Sequence, residues 1–189
     1  MNVAIFASGN GSNAQQIVEY FAGNPNIRIS LILSNKKDAY VLQRAKNLNI
    51  SSFSFTSSEL KTTNIVYDKL KDFDIGFIVL AGFMLKVPDS LIQKFSGRII
   101  NIHPALLPKY GGKGMFGEHV HMAVIAAKEK ESGITIHFVN EKYDEGKIIF
   151  QARCEIDIKD TPESLALKIH ELEHYHYPRI IEKIITKEI

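Results

Sequence analysis

Short β-branched and aromatic runs alternate with longer amphipathic stretches until past residue 100, and this alternation narrows the fold more than any other feature of the chain. The runs are NVAIFA (Asn2 to Ala7), IRISLIL (Ile27 to Leu33), SFSF (Ser52 to Phe55), IGFIVL (Ile75 to Leu80) and RIINI (Arg98 to Ile102). Between them, apolar spacing predicts helices near Asn13 to Phe21, Tyr40 to Leu48, Ser58 to Lys71 and Pro88 to Phe95. Strands joined repeatedly through helices give a mostly parallel sheet covered on both faces, the α/β class.

The pattern then changes. A helix expected over Glu118 to Lys128 precedes two runs, GITIHFVN (Gly133 to Asn140) and KIIFQARCEI (Lys147 to Ile156). The EKYDEG segment between them is too short for a crossover, so they should form an antiparallel hairpin at the sheet edge. Thr161 and Pro162 suit the N-cap and first position of a last helix running to Ile185, which Pro178 should kink or interrupt.

With 189 residues and 45% apolar content, the chain is expected to form one domain over residues 1–189. Its 23 basic and 21 acidic residues leave a net charge of +2, which excludes a general nucleic-acid or anionic-membrane surface and makes any anion site local. The lone Cys154 excludes an intrachain disulfide and a Cys-rich zinc site and fits a reducing compartment. No signal-peptide pattern or membrane-spanning apolar run is visible, so the expected location is cytoplasmic.

SGNGSN (Ser8 to Asn13) falls between the first strand and the first helix. Its glycines allow close backbone approach, and the N–H groups of Gly11, Ser12 and Asn13 at a helix start suit a phosphate. The spacing is neither a dinucleotide fingerprint nor a Walker loop. A plain turn capped by Ser12 or Asn13 explains the same residues.

NIHPALLPKYGG (Asn101 to Gly112) leaves a strand through an amide, an imidazole and two prolines, which marks a shaped loop at a strand's carboxyl end. Residues two apart on a strand face one side, so Asn101 and His103 can converge on one oxygen and stabilise charge developing on a carbonyl. Asp144, in the hairpin connection, can reach back to support the imidazolium and collect a proton. A satisfied turn asparagine, a packed histidine and an Asx-turn aspartate are the plainer alternatives. His103, His119, His121 and His137 also raise the possibility of a catalytic metal, although a two-residue spacing is poor for a helical ligand pair. His170, Glu173 and His174 share a helical face, where Glu173 suits a cationic amine, sugar hydroxyls or solvent.

In their order, FASGNGSN, LAGFM, RIINIHPALLPKYGG, GITIHFVNEKYDEGKIIFQ and ELEHYHYP resemble the folate-dependent formyltransferases. SGNGSN and the stand-alone length point to the glycinamide ribonucleotide branch. The resemblance implies a Rossmann-like α/β domain that transfers the formyl group of 10-formyltetrahydrofolate to the amine of glycinamide ribonucleotide, in de novo purine (IMP) synthesis. It further implies Asn101, His103 and Asp144 as the catalytic trio, Gly11, Ser12 and Asn13 as the phosphate site, and Glu173 as a substrate contact. Met84, Leu85, Lys86 and Val87, with Asn101, would bind the folate. No metal is implied, the partners are small molecules, and the state is monomer or homodimer. Two regions depart from the family pattern. GGKGMFGEHVH (Gly111 to His121) is several residues longer than in many relatives and carries an extra Lys113, which suggests a mobile flap. The basic residue that relatives use against folate is matched here by either Lys61 or Asn64. A formyltetrahydrofolate hydrolase, a sugar-amine formyltransferase and a non-catalytic folate- or nucleotide-binding module are the competing readings.

Overall fold

The fold, described over residues 1–189 by a computed structural model, is built on one seven-stranded sheet in the order β3-β2-β1-β4-β5-β6-β7. Strands β1 (Asn2–Phe6), β2 (Arg28–Ser34), β3 (Ser51–Ser54), β4 (Ile75–Leu80) and β5 (Ile99–His103) pair in parallel. They are linked through α1 (Ser12–Tyr20), α2 (Tyr40–Asn47), α3 (Ser57–Thr62), α4 (Ile65–Asp72) and α5 (Asp89–Lys94). After α6 (Glu118–Ala126), β6 (Glu131–Phe138) and β7 (Ile148–Glu155) add the antiparallel edge, and α7 (Pro162–Ile185) closes the chain. This matches the α/β architecture expected from the runs. No helix is long and apolar enough to cross a membrane.

Alternation along each strand divides the core in two. Val3 and Ile5 point to one face with residues of α1, α2, α6 and α7, while Ala4 and Phe6 point to the other with residues of α3, α4 and α5. Both faces of β1 are dry, which is why it reads as a continuous apolar run. The second core contains no residue of β6 or β7. On that side, past β5, polar side chains replace apolar ones, and the sheet is free to form a site.

Two expectations need correction. The helix expected over Ser58 to Lys71 is broken into α3 and α4. Thr63 is extended, with φ −130° and ψ 167°. Its hydroxyl donates to the Glu59 carbonyl at 2.7 Å and accepts from the Ile65 N–H at 3.3 Å, so the side chain replaces a backbone rung. Of the kink or interruption expected at Pro178, the interruption does not occur, since α7 runs on through it. A mid-helix proline costs about 3 kcal/mol, but Tyr177, Ile180 and Ile181 are buried against the sheet around it. The Tyr177 hydroxyl also donates to the Leu80 carbonyl at 2.9 Å. Tertiary packing outweighs the lost hydrogen bond. At the start of α7 the expected cap holds, since the Thr161 side chain accepts from the Ser164 N–H.

Candidate active site

β1 pairs with β2 on one side and β4 on the other, so the chain switches direction across the sheet at the carboxyl ends of β1 and β4. Open α/β sheets form their ligand crevices at such points. A cavity of about 500 Å³ lies there, within the ordinary range for small-molecule sites. It is walled by the β1–α1 loop, the β4–α5 loop, the end of β5, the segment Gly112–Gly117 and the hairpin residues around Asp144.

The β1–α1 wall is Gly9 to Asn13. Gly11 caps α1 in a left-handed conformation, φ 77° and ψ 26°, and no side chain caps the helix. The alternative of a Ser12 or Asn13 cap is therefore not what forms, and the N–H groups at the helix start remain free for an anion. Close packing adds a second demand, because a Cβ on Gly11 would lie 2.3 Å from Val41 Cγ2. Arg44 braces the loop from behind, its Nε donating to the Asn10 carbonyl at 2.9 Å and Nη2 to Asn10 Oδ1 at 2.7 Å, with a third contact to Gln15. Gly11→Ala should lower stability by ~2–4 kcal/mol, combining the positive φ with overpacking. Chemical denaturation checks this, and an unchanged midpoint would show that the loop relaxes freely.

The β4–α5 wall is Met84 to Val87, all four of which line the cavity. The Ser8 hydroxyl accepts from the Met84 N–H at 2.9 Å and donates to Asn35 Oδ1 at 2.6 Å, tying this loop to the ends of β1 and β2. Lys61 and Asn64 lie outside the cavity lining, whose basic residues are Lys86, Lys113 and Lys142.

Asn101 and His103 end β5 on one face of the sheet and line the cavity, as their two-residue spacing implied. Register brings His137 of β6 opposite Asn101, and the Asn101 amide lies 3.2 Å from His137 Nε2. His137 Nδ1 is 2.9 Å from the Phe138 carbonyl. A carbonyl only accepts, so Nδ1 carries the proton, and in the neutral ring Nε2 accepts from one N–H of Asn101. The second N–H remains for a ligand. The same logic places a proton on His103 Nε2, which donates to the Tyr110 carbonyl at 2.7 Å and leaves Nδ1 toward Asp144.

Asp144 sits in the β6–β7 connection with φ 54° and joins the two imidazoles. Its Oδ2 is 3.7 Å from His103 Nδ1, its Oδ1 is 3.6 Å from His137 Nε2, and Oδ2 accepts from the Gly112 N–H at 2.9 Å. The turn approaches closely enough that a Cβ on Gly146 would lie 1.6 Å from the Phe138 carbonyl oxygen. Burial works to raise the Asp144 pKa, but the charge of a protonated His103 and the Gly112 N–H hold it below the usual carboxylate value. Burial of His103, only 3% exposed, pushes its pKa below the ordinary value against the opposing pull of Asp144. Asp144 is thus an ionised partner that makes a charged His103 less costly.

Glu173 and His170 of α7 and His121 of α6 complete the wall beside Asn13. Asn13 Nδ2 donates to Glu173 Oε2 at 2.8 Å. Burial raises the Glu173 pKa to about 7, with the Asn13 hydrogen bond opposing it. Burial, with His170 and His103 nearby, pushes His121 down to about 4. Of the four histidines considered from sequence as metal ligands, His103, His121 and His137 line the cavity and His119 does not.

The structure therefore brings Gly11, Ser12, Asn13, Met84, Leu85, Lys86, Val87, Asn101, His103, Asp144 and Glu173 onto one cavity. The sequence reading missed the role of His137, which it treated only as a metal candidate. The antiparallel register pairs it with Asn101, a relation legible once the edge strands are aligned.

Residues 1–181 match the formyl transferase family. The chain is 39% identical over 194 residues to the chloroplastic phosphoribosylglycinamide formyltransferase of Arabidopsis thaliana, covering 99% of this chain but 66% of that protein, just under two thirds of its length. It is 39% identical over 187 residues to the phosphoribosylglycinamide formyltransferase of Bacillus subtilis (strain 168), covering 96% of this chain and 93% of that protein. The crystal structure of phosphoribosylglycinamide formyltransferase from Anaplasma phagocytophilum is similar with a TM-score of 0.91 at 32% identity, over 98% of this chain and 87% of that one. Similar in sequence and in three dimensions over almost its whole extent, the chain belongs to the formyl transferase family.

Proposed function

We propose that this protein transfers the formyl group of 10-formyltetrahydrofolate to the amine of glycinamide ribonucleotide, a step of purine biosynthesis. The observation that carries the reading is the shared cavity. A loop of free backbone donors at one end and a partly apolar, backbone-rich loop at the other meet at Asn101, His103 and Asp144. Gly11, Ser12 and Asn13 take the phosphate, Glu173 takes the adjoining part of the ribonucleotide, and Met84 to Val87 face the pterin. The relatives' names support formyl transfer to phosphoribosylglycinamide as the acceptor.

Within this reading the neutral amine attacks the formyl carbon, and the formyl oxygen gains negative charge. The unshared N–H of Asn101 receives that charge, and the positive charge of protonated His103, whose Nδ1 faces Asp144, lies beside it. The attacking nitrogen gives up one proton, and N10 of the departing tetrahydrofolate gains one. Asp144, acidic enough to remain ionised, relays it and favours the imidazolium. Asn101, held by His137, is presented without reorganisation.

The test is incubation with 10-formyltetrahydrofolate, with and without glycinamide ribonucleotide, following tetrahydrofolate release. Release should require the ribonucleotide. Equal release in buffer alone would replace transfer with hydrolysis.

A further inference from the structure

Asn13 lies in the first turn of α1, and its side-chain amide bonds to a carboxylate 160 positions away on α7. The backbone at Asn13 belongs to the anion loop, while Glu173 Oε2 takes the side-chain bond and Oε1 is left to the cavity that both residues line. Asn13 Oδ1 is buried without a protein partner. Glu173 is 6% exposed and has no other hydrogen bond.

We propose that Asn13 is a positioning residue, whose side chain holds Glu173 against the cavity and so couples the phosphate loop to the carboxylate that receives the rest of the phosphorylated amine. The inference rests on the formyl-transfer reading for the identity of that ligand and on the Asn13–Glu173 contact for the coupling.

The surroundings leave Asn13 alone in this task. On α7, His170 lies one turn before Glu173, His174 follows it directly, and Tyr177 lies one turn after. His121 faces the cavity from α6, with His103 of β5 near it. Burial lowers the pKa of His103, His121, His170 and His174, so these rings are predominantly neutral at pH 7, and Tyr177 stays protonated. Arg44 of α2 bears on His174 and is engaged with Asn10 and Gln15. No cation compensates Glu173, and the Asn13 N–H is the one group favouring its ionised form. An ionised carboxylate offers acceptors to hydroxyls or an ammonium that the protonated form partly loses. Substrate binding should therefore weaken as pH falls through the Glu173 midpoint, which burial raises and the Asn13 hydrogen bond lowers.

The Glu173 midpoint can be read directly, without substrate, by NMR of side-chain ¹³C-glutamate in the wild type and in Asn13→Leu, which keeps the backbone N–H. Wild type should titrate near 7. Losing a hydrogen bond of ~1 kcal/mol should move the midpoint up by about 0.7 unit. Asn13→Asp, which sets a like charge beside Glu173, should also raise it and serves if Asn13→Leu does not fold. Calorimetric Kd values for glycinamide ribonucleotide from pH 6 to 8 then test the coupling. The pH-dependent weakening should shift upward with the NMR midpoint in Asn13→Leu, and in Glu173→Gln only the substrate's own titrations, its phosphate near 6 and its amine near 8, common to all variants, should remain. An unmoved midpoint overturns the proposal, as does an Asn13→Leu affinity lower by one constant factor at every pH. Failure of the wild type to bind the ribonucleotide would defeat the formyl-transfer reading instead, and the NMR comparison would still decide the pair.

Discussion

Replacing His103 with alanine should lower the rate of formyl transfer by roughly 10²–10⁴-fold, with the protein still folded. His103 is the buried group that can place a positive charge beside the site where the formyl oxygen gains negative charge. Its loss leaves the Tyr110 carbonyl without its donor, at a cost of ~1–3 kcal/mol, which a sheet with two apolar cores can absorb. Asn101→Ala should cost on the order of 10²–10³-fold, the usual effect of one donor to a developing oxyanion. Single-turnover kinetics with both substrates, beside a thermal melt, separate chemistry from folding. Near-normal single-turnover rates in either variant would remove that side chain from the mechanism.

Glu173→Gln should make the protein more stable at pH 8 and poorer at holding its substrate. The carboxyl rises from an ordinary 4.5 in the unfolded chain to about 7 in the folded one. The folded state therefore binds more protons than the unfolded state between those values. Stability contributed by this group is fully present below the unfolded value, declines as pH rises toward 7 and is gone above it. At about 1.4 kcal/mol per unit, the buried carboxylate costs ~3 kcal/mol at pH 8. Glutamine keeps an oxygen for the Asn13 N–H and has no charge to bury. Denaturant unfolding at pH 4.5 and pH 8 should show the two proteins close at the lower pH and the variant ahead at the higher. A difference independent of pH would mean that packing, not ionisation, distinguishes them.

Local chemistry fixed the strands, the alternation, the edge hairpin and the caps, because period-two burial, short connections and Thr-Pro starts act within a few residues. It also placed Asn101 and His103 on one side of β5, since a strand leaves them no other arrangement. Where a side chain competes with the backbone, as Thr63 does, the local signal pointed the wrong way, and distant packing carries α7 through Pro178 without the interruption that residue can cause. Only the tertiary structure decided that Asp144 meets two imidazoles, that His137 holds Asn101, and that Asn13 joins Glu173 across the fold. Those contacts depend on sheet order, on strand register and on the docking of α7 over α1, quantities that no stretch of neighbouring residues encodes. Burial, which makes His103 reluctant to charge and Glu173 reluctant to ionise, likewise belongs to the assembled molecule, because it is set by the atoms that exclude water.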